Sequence, residues 1–289
     1  MSDKPRILIQ FDTDQQVSLF DRVVAVDAGC DHLFSYSAVT PDQVTSLVHG
    51  AIFTRGAKDL HRTAIFIGGS DVAAGEKLLG AVRGAMLPQW GLQVSVLLDS
   101  NGCNTTAAAA VLAAGKHLSL GGMPAVVLGA TGPVGQRVAR LLAKEGAYVR
   151  VASRQLARAE LVCQAIRSRG FQGKVTPVST ASLEELHQAV EGQVLLIAAG
   201  AAGVTLLPRS ARPGTLRVGI DLNAVPPLGI EGIEVTDAGK ERDGVIWYGA
   251  LGVGGSKIKI HKAAVSRLFE RNDQIMDAEE VYLVAQGLG

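Results

Sequence analysis

The stretch Ala125 to Arg154, AVVLGATGPVGQRVARLLAKEGAYVRVASR, constrains this chain more than any other. It predicts a buried strand over Ala125–Leu128, a turn marked by Gly129, Gly132 and Gly135, an amphipathic helix to about Glu145, and a second buried strand ending at Ser153-Arg154. Gly129 and Gly132 let the backbone turn sharply and approach a pyrophosphate, and Gly135 lets helix and strand pack closely. The N–H groups of the helix N-terminus then face the phosphates. Glycines alone would mark any tight strand-to-helix turn; the flanking strand, helix and strand make this one half of a dinucleotide-binding unit. Gly129, Thr131, Gly132, Pro133, Val134 and Gly135 are the candidate pyrophosphate residues.

The end of the second strand bears on which dinucleotide. An Asp or Glu there binds the ribose 2′-hydroxyl of NAD, whereas an arginine can grip a 2′-phosphate through paired, charged hydrogen bonds. The chain has Ser153 and Arg154, with Arg158 one turn on, so NADP is the expected cofactor. The alternative is that both arginines are solvated surface charges.

Around this unit the pattern alternates. Arg6–Phe11, Thr63–Ile67 and Leu92–Leu98 read as strands; helices open at Ser18, at Thr40-Pro41 and at Asp71. Downstream, helix 156–168, strand 174–178, helix 182–190 and strands 194–198 and 217–221 continue the alternation. The fold class expected is therefore α/β, with two α/β domains, the second a Rossmann-like doubly wound parallel sheet. The boundaries expected are 1–105 for a substrate domain and 106–269 for the nucleotide domain, with the helix in 270–289 packing back on the first.

Ligands of such sheets collect at the carboxyl ends of the strands. In the first domain those ends carry Asp12, Thr13 and Asp14, then Gly68, Gly69 and Ser70, then Asp99, Ser100 and Asn101. Each also reads as ordinary turn chemistry; together they line one sheet edge. Asn104 reads as the N-cap of an alanine-rich helix with Thr105 in its first turn, which equally suits a plain linker helix. In the second domain the loops with Ala199-Gly200 and Asn223 face the nicotinamide half. In ALGVGGSKIKIHK, Gly252, Gly254 and Gly255 read as a pliable connection and Ser256 as an N-cap. That puts Lys257 in a first helical turn, against the helix dipole, which marks it for function. KIKI also reads as a short alternating strand.

A charge balance of 28 basic against 27 acidic residues and only 4% aromatics give no footprint for nucleic acid. Cys30, Cys103 and Cys163 are scattered, without a C-x-x-C, which fits a reduced cytoplasm and offers no zinc or disulfide frame. No metal site is expected. The apolar segment near the N-terminus is too short for a signal peptide, and Val194–Leu207 is too short and glycine-broken to span a membrane.

QFDTDQQVSLFD, TPDQV, TAIFIGGSDVAAGE, LLDSNGCNTTAAAA, VVLGATGPVGQRVA, DLNAVPPLGIEGI and YGALGVGGSKIKIHK together resemble the NADP-dependent methylene-tetrahydromethanopterin/methylene-tetrahydrofolate dehydrogenases of methylotrophic bacteria. The likeness runs in order over nearly the whole chain. Two departures stand out: Ala130 replaces a glycine of the turn, and Cys103 stands where serine is expected. The resemblance implies oxidation of a one-carbon methylene group on a reduced pterin, with Phe20 and Lys257 flanking the pterin and Asp12, Asp14, Ser100, Asn101, Thr105 and Asn223 supplying polar contacts. It also implies a homo-oligomer, a trimer or larger. A bifunctional dehydrogenase/cyclohydrolase, a shikimate-type dehydrogenase using Lys58-Asp59, and an NADP-binding sensor without turnover are the alternatives.

Overall fold

Residues 4–288 are described by the structure, a computed structural model. Its first strands are apolar on both faces because helices cover both: β1 (Ile7–Asp12), β3 (Thr63–Gly68) and β4 (Ser95–Leu98) are almost wholly buried. Between β1 and β3 come α1 (Leu19–Asp27), β2 (His32–Tyr36) and α2 (Pro41–Ile52), and α3 (Val72–Ala85) lies between β3 and β4. The cap residues read from sequence open these helices. Ser18 Oγ accepts from Asp21 N at 3.3 Å and Asp71 Oδ1 from Ala74 N at 2.9 Å, each satisfying an N–H that the helix itself cannot.

The chain continues through α4 (Cys103–Gly115), β5 (Pro124–Leu128), α5 (Pro133–Lys144), β6 (Tyr148–Ser153), α6 (Leu156–Arg167), β7 (Lys174–Ser179), α7 (Leu183–Val190), β8 (Leu195–Ala198) and β9 (Val218–Asp221). A hairpin, β10 (Ala238–Arg242) and β11 (Val245–Tyr248), precedes α8 (Ala250–Arg267), β12 (Ile275–Met276) and α9 (Ala278–Gln286).

Two compact units result: residues up to Thr105 with Ile258–Leu288, and Thr106–Lys257. In the first, five parallel strands run in the order β12-β4-β3-β1-β2. Their core is mostly aliphatic with one aromatic ring, and includes Phe11, Ile52, Leu60, Ile65, Ile67 and Leu98. In the second, seven strands run β10-β11-β9-β8-β5-β6-β7, parallel except for the β10–β11 pair. Counted from β5, its parallel strands read 3-2-1-4-5-6, the doubly wound Rossmann-like order. The sheet is sealed by Val126, Leu128, Leu196, Ile230 and Trp247. Among the described residues no helix is long and apolar enough to cross a membrane.

Three sequence readings need correction. Gly252–Gly255 is not a connection and Ser256 caps nothing: α8 begins at Ala250 and runs through all three glycines. Gly252 is there for packing, since a Cβ on it would lie within covalent-like range of Asp237 O, and Gly249 is similarly pressed against Glu234 O. KIKI is accordingly helical. Asn104 is not an N-cap either; its amide donates to Leu98 O at 2.6 Å and Asp277 Oδ1 at 3.0 Å, while Asp99 Oδ1 accepts from the N–H groups of Asn104 and Thr105. Finally, the division between units falls at Lys257/Ile258, so residues 258–269 belong with the first unit rather than the nucleotide domain.

Candidate functional site

In the second unit the strand order reverses between β5 and β8, the switch point at which a doubly wound sheet opens a crevice. Gly129 leaves β5 at φ +71°, and a Cβ on it would lie 2.7 Å from Gly200 Cα in the loop after β8. Gly135 is equally constrained: its Cβ would lie 2.5 Å from Gly129 O. Gly132, the cap of α5, differs from both. A Cβ there would meet Gly129 O at 3.5 Å and Ala199 O at 3.7 Å, ordinary contacts. Two glycines thus close the turn, and the third leaves room above the helix.

Pro133 at the first position of α5 has no N–H, and those of Val134 and Gly135 have no acceptor within the helix, so the turn offers donors to an anion. Thr131 is half-buried, its carbonyl taken by Gln136 Nε2 at 2.8 Å. At the end of β6 the Ser153 hydroxyl accepts from Gln155 N at 3.1 Å, turning the chain into α6. Arg154 and Arg158 are exposed, and among the described residues neither guanidinium has a hydrogen bond or ion pair.

The neighbouring loops are held from within. Ala199 N donates to Leu128 O at 2.9 Å. Asn223 donates its amide to Val225 O and Pro227 O and accepts from Val225 N, so its side chain braces its own loop. Below it, Asp221 accepts from Asn223 N and Ile230 N. Burial still pushes that carboxyl above its ordinary value, with the backbone N–H groups opposing the shift.

The first unit has its own switch point between β1 and β3, where Asp12 stands in register with Gly68. Asp12 is fully buried: Oδ1 accepts from Asp14 N at 2.9 Å and Oδ2 from Ser18 N at 3.0 Å. Asp14 in turn accepts from Ser70 N and Ser70 Oγ, tying the loop after β1 to the loop after β3. Ser100 Oγ donates to Gly68 O at 3.0 Å, and Thr105 Oγ1 to Asp99 Oδ2 at 2.7 Å. Asn101 takes the left-handed conformation at φ 53° with its N–H on Gly69 O, leaving its side chain exposed. Of the five polar residues expected at this edge, four are engaged in shaping its loops and Asn101 alone is turned outward.

Phe20 is half-exposed at the start of α1, and the next residue, Asp21, faces the buried ring of His261 on α8. Burial raises the Asp21 carboxyl above its ordinary value; His261 opposes this, while the carboxylates of Asp99 and Asp12 add to it. Lys257 lies one turn before His261, half-buried in the third turn of α8, not in a first turn as the sequence reading has it. Sequence reasoning placed Asp99 at the sheet edge without giving it a role, and missed His261. The D-S-N-G turn carried a signal for Asp99; nothing local marked a histidine in an amphipathic helix.

A glycine turn at the switch point of a doubly wound sheet, with unpaired arginines at the next strand end, defines a Rossmann-like class of fold. Solved structures agree at the level of fold: shikimate 5-dehydrogenase from Listeria monocytogenes is 15% identical, with a TM-score of 0.55 over 99% of this chain and 96% of that one. A 5-ketofructose reductase of Gluconobacter is 18% identical, with a TM-score of 0.52 over 99% of each.

Residues 19–101 match the family model described as methylene-tetrahydromethanopterin dehydrogenase, N-terminal. Two proteins of Methylorubrum extorquens are similar throughout. One, named bifunctional protein MdtA, is 46% identical over 97% of this chain and 98% of its own length. The other, named NAD(P)-dependent methylenetetrahydromethanopterin dehydrogenase, is 30% identical over 94% of each. The chain belongs to the methylene-tetrahydromethanopterin dehydrogenase family.

Proposed function

We propose that this protein oxidises the methylene carbon bridging two nitrogens of methylene-tetrahydromethanopterin, methylene-tetrahydrofolate or both, with NADP as hydride acceptor. The 46% identity to a family member along essentially both chains carries the reading. The residues present fit the cofactor: Gly132 leaves space at the α5 N-terminus, and Arg154 and Arg158 offer unengaged cations where an acid would select NAD. Bound NADP supplies the two-electron acceptor. On the substrate, the C–H bond breaks with its electron pair leaving as hydride, and the positive charge left behind is delocalised over N–C–N. No proton moves, so the chain needs no acid/base pair. Its residues have to hold the donor carbon at near-attack distance and keep water from the product.

Phe20 supplies a flat apolar face for the pterin, and Asn101 a direct polar contact. Asp12, Asp14, Ser100 and Thr105 act by holding the loops on which these stand, and Asn223, Ala199 and Gly200 do the same for the nicotinamide side. Lys257 orients the pterin by hydrogen bonding, since a cation beside a developing cation would oppose the reaction. A shikimate-type mechanism is disfavoured: Lys58 and Asp59 precede β3, at the amino edge of the sheet, away from the strand ends.

One assay tests the reading: purified protein with each methylene pterin and NADP or NAD, following both the reduced nicotinamide and the methenyl chromophore. NADP-dependent appearance of both signals is expected. No turnover of either pterin would overturn it, and methenyl decay beyond the spontaneous rate would move it to the bifunctional reading.

A further inference from the structure

A group outside the reading above is built around His261. The side chain is 2% exposed, and two phenylalanine rings neighbour it. Toward the sheet is Phe66, itself buried, with ring centroids 5.5 Å apart and planes 30° from parallel. Toward the surface is Phe20, 6.2 Å away and tilted by 34°. The imidazole thus neighbours both a buried ring of β3 and a half-exposed ring of α1. His261 Nδ1 lies 4.0 Å from Asp21 Oδ1, on the residue that follows Phe20.

Gly68 keeps space beside this group. A Cβ on it would stand 3.0 Å from Phe66 Cε1, a tight contact with the ring, and 3.4 Å from Asp21 Oδ2, an ordinary one. Asp21 N also donates to Ser18 Oγ, and Ser18 N to Asp12 Oδ2. The first turn of α1 is therefore fixed at its cap by β1 and over Asp21 by α8. Asp21 is mostly removed from water among two further carboxylates, Asp12 and Asp99, which oppose its charge, while His261 and, after it, a hydrogen bond with Ser18 favour it. Removing the imidazole takes away both the ring behind Phe20 and the electrostatic partner of the next residue.

We propose that His261 is a positioning residue for Phe20: packed with Phe66 and Phe20 and facing Asp21, it fixes the first turn of α1 and the orientation of the Phe20 ring. The role in turnover rests on Phe20 packing against the pterin, as proposed above; the ring-fixing role does not. His261 touches no reacting atom and acts through Phe20.

Two readouts on the full chain separate these parts. With fluorinated phenylalanine placed at position 20, the 19F resonance is expected to shift and broaden in His261→Ala and to return most of the way in His261→Phe, which restores a ring. In kinetics, His261→Ala is expected to raise the pterin KM about tenfold with NADP affinity unchanged, and His261→Phe to recover part of it. The double variant with Phe20→Ala is expected to be no worse than Phe20→Ala alone, because two residues acting as one unit do not add. His261→Gln serves if the alanine variant does not fold, with unchanged NADP affinity as the sign of an intact second unit. An unaltered 19F signal in a folded His261 variant overturns the proposal. So does a changed signal with multiplicative kinetic losses, which would place His261 on a separate route. If the unsubstituted protein turns over neither pterin, the dehydrogenase reading fails, and the 19F comparison still decides whether His261 fixes Phe20.

Discussion

The two switch points follow one topological rule and are built in opposite ways. At β1/β3 the polar side chains turn inward: Asp12, Asp14, Ser100 and Thr105 all engage backbone or neighbouring side chains of their own loops. At β5/β8 the side chains are removed, the backbone N–H groups of α5 are left for an anion, and Arg154 and Arg158 stay unengaged. On the proposed function, the contrast follows from the ligands. A pyrophosphate is bound well by bare backbone and a helix terminus, which any dinucleotide enzyme can reuse. A pterin needs loops of one shape, and shape is held by internal hydrogen bonds that a buried polar group must make anyway.

The sharpest way to break the contrast is within the glycine turn. Gly135→Ala drives a Cβ to 2.5 Å from Gly129 O and 2.8 Å from Ala130 Cα, backbone atoms that cannot step aside. It is expected to lower Tm and weaken NADP by more than about a hundredfold, or at least 2.7 kcal/mol. Gly132→Ala, whose Cβ fits, is expected to keep Tm and lose affinity alone. Calorimetry beside nucleotide titration checks both, and equal behaviour of the two variants would contradict the division of labour.

Next in size is Asp99→Ala at the first unit. It strips the acceptor from the N–H groups of Asn104 and Thr105 and from the Thr105 hydroxyl, all buried. A stability loss of roughly 2–4 kcal/mol is expected from denaturant unfolding, combining a lost cap with orphaned donors. Arg154→Asp follows, expected to weaken NADP by about ten- to a hundredfold, the range for a charge-assisted contact, with little change for NAD. Equal losses for both dinucleotides would remove the 2′-phosphate from its role.

These variants also show which parts of the molecule were legible in the sequence. The glycine turn could be read because its geometry is local: β5, one turn and α5 contain all of it. Cap residues Ser18, Asp71, Ser182 and Asp277 were readable for the same reason. The α8 start was not, because three glycines look like a break until Asp237 and Glu234 are seen pressed against Gly252 and Gly249. Strand β2 escaped because it is a sheet edge, alternating between exposed and half-buried positions. The β10–β11 hairpin could have been found: Asp243 and Gly244, at φ 54° and 71°, are the Asp-Gly pair such a turn favours. His261 and Phe20 are brought together only by tertiary packing, and no local pattern reports that.

The smallest effect concerns that hairpin. Arg242 Nη1 donates to Asp237 Oδ1 at 2.7 Å and Nη2 to Oδ2, and these hydrogen bonds hold the Asp237 carboxyl below its ordinary value. A depressed carboxylate contributes stability above its unfolded pKa and loses it as pH falls through the lower folded value. Unfolding followed from neutral to strongly acidic pH is therefore expected to show part of its acid destabilisation vanish in Arg242→Ala; an unchanged acid limb would mean the pair contributes nothing.

The claim that the protein removes a hydride, and no proton, from a carbon between two nitrogens is tested most directly with methylene pterin carrying two deuteriums on the bridging carbon. The account predicts one deuterium on the reduced nicotinamide for each methenyl product formed, none released to solvent, and a slower single-turnover rate than with the protium substrate. Deuterium appearing in water, or methenyl product formed without a labelled nicotinamide, would contradict it.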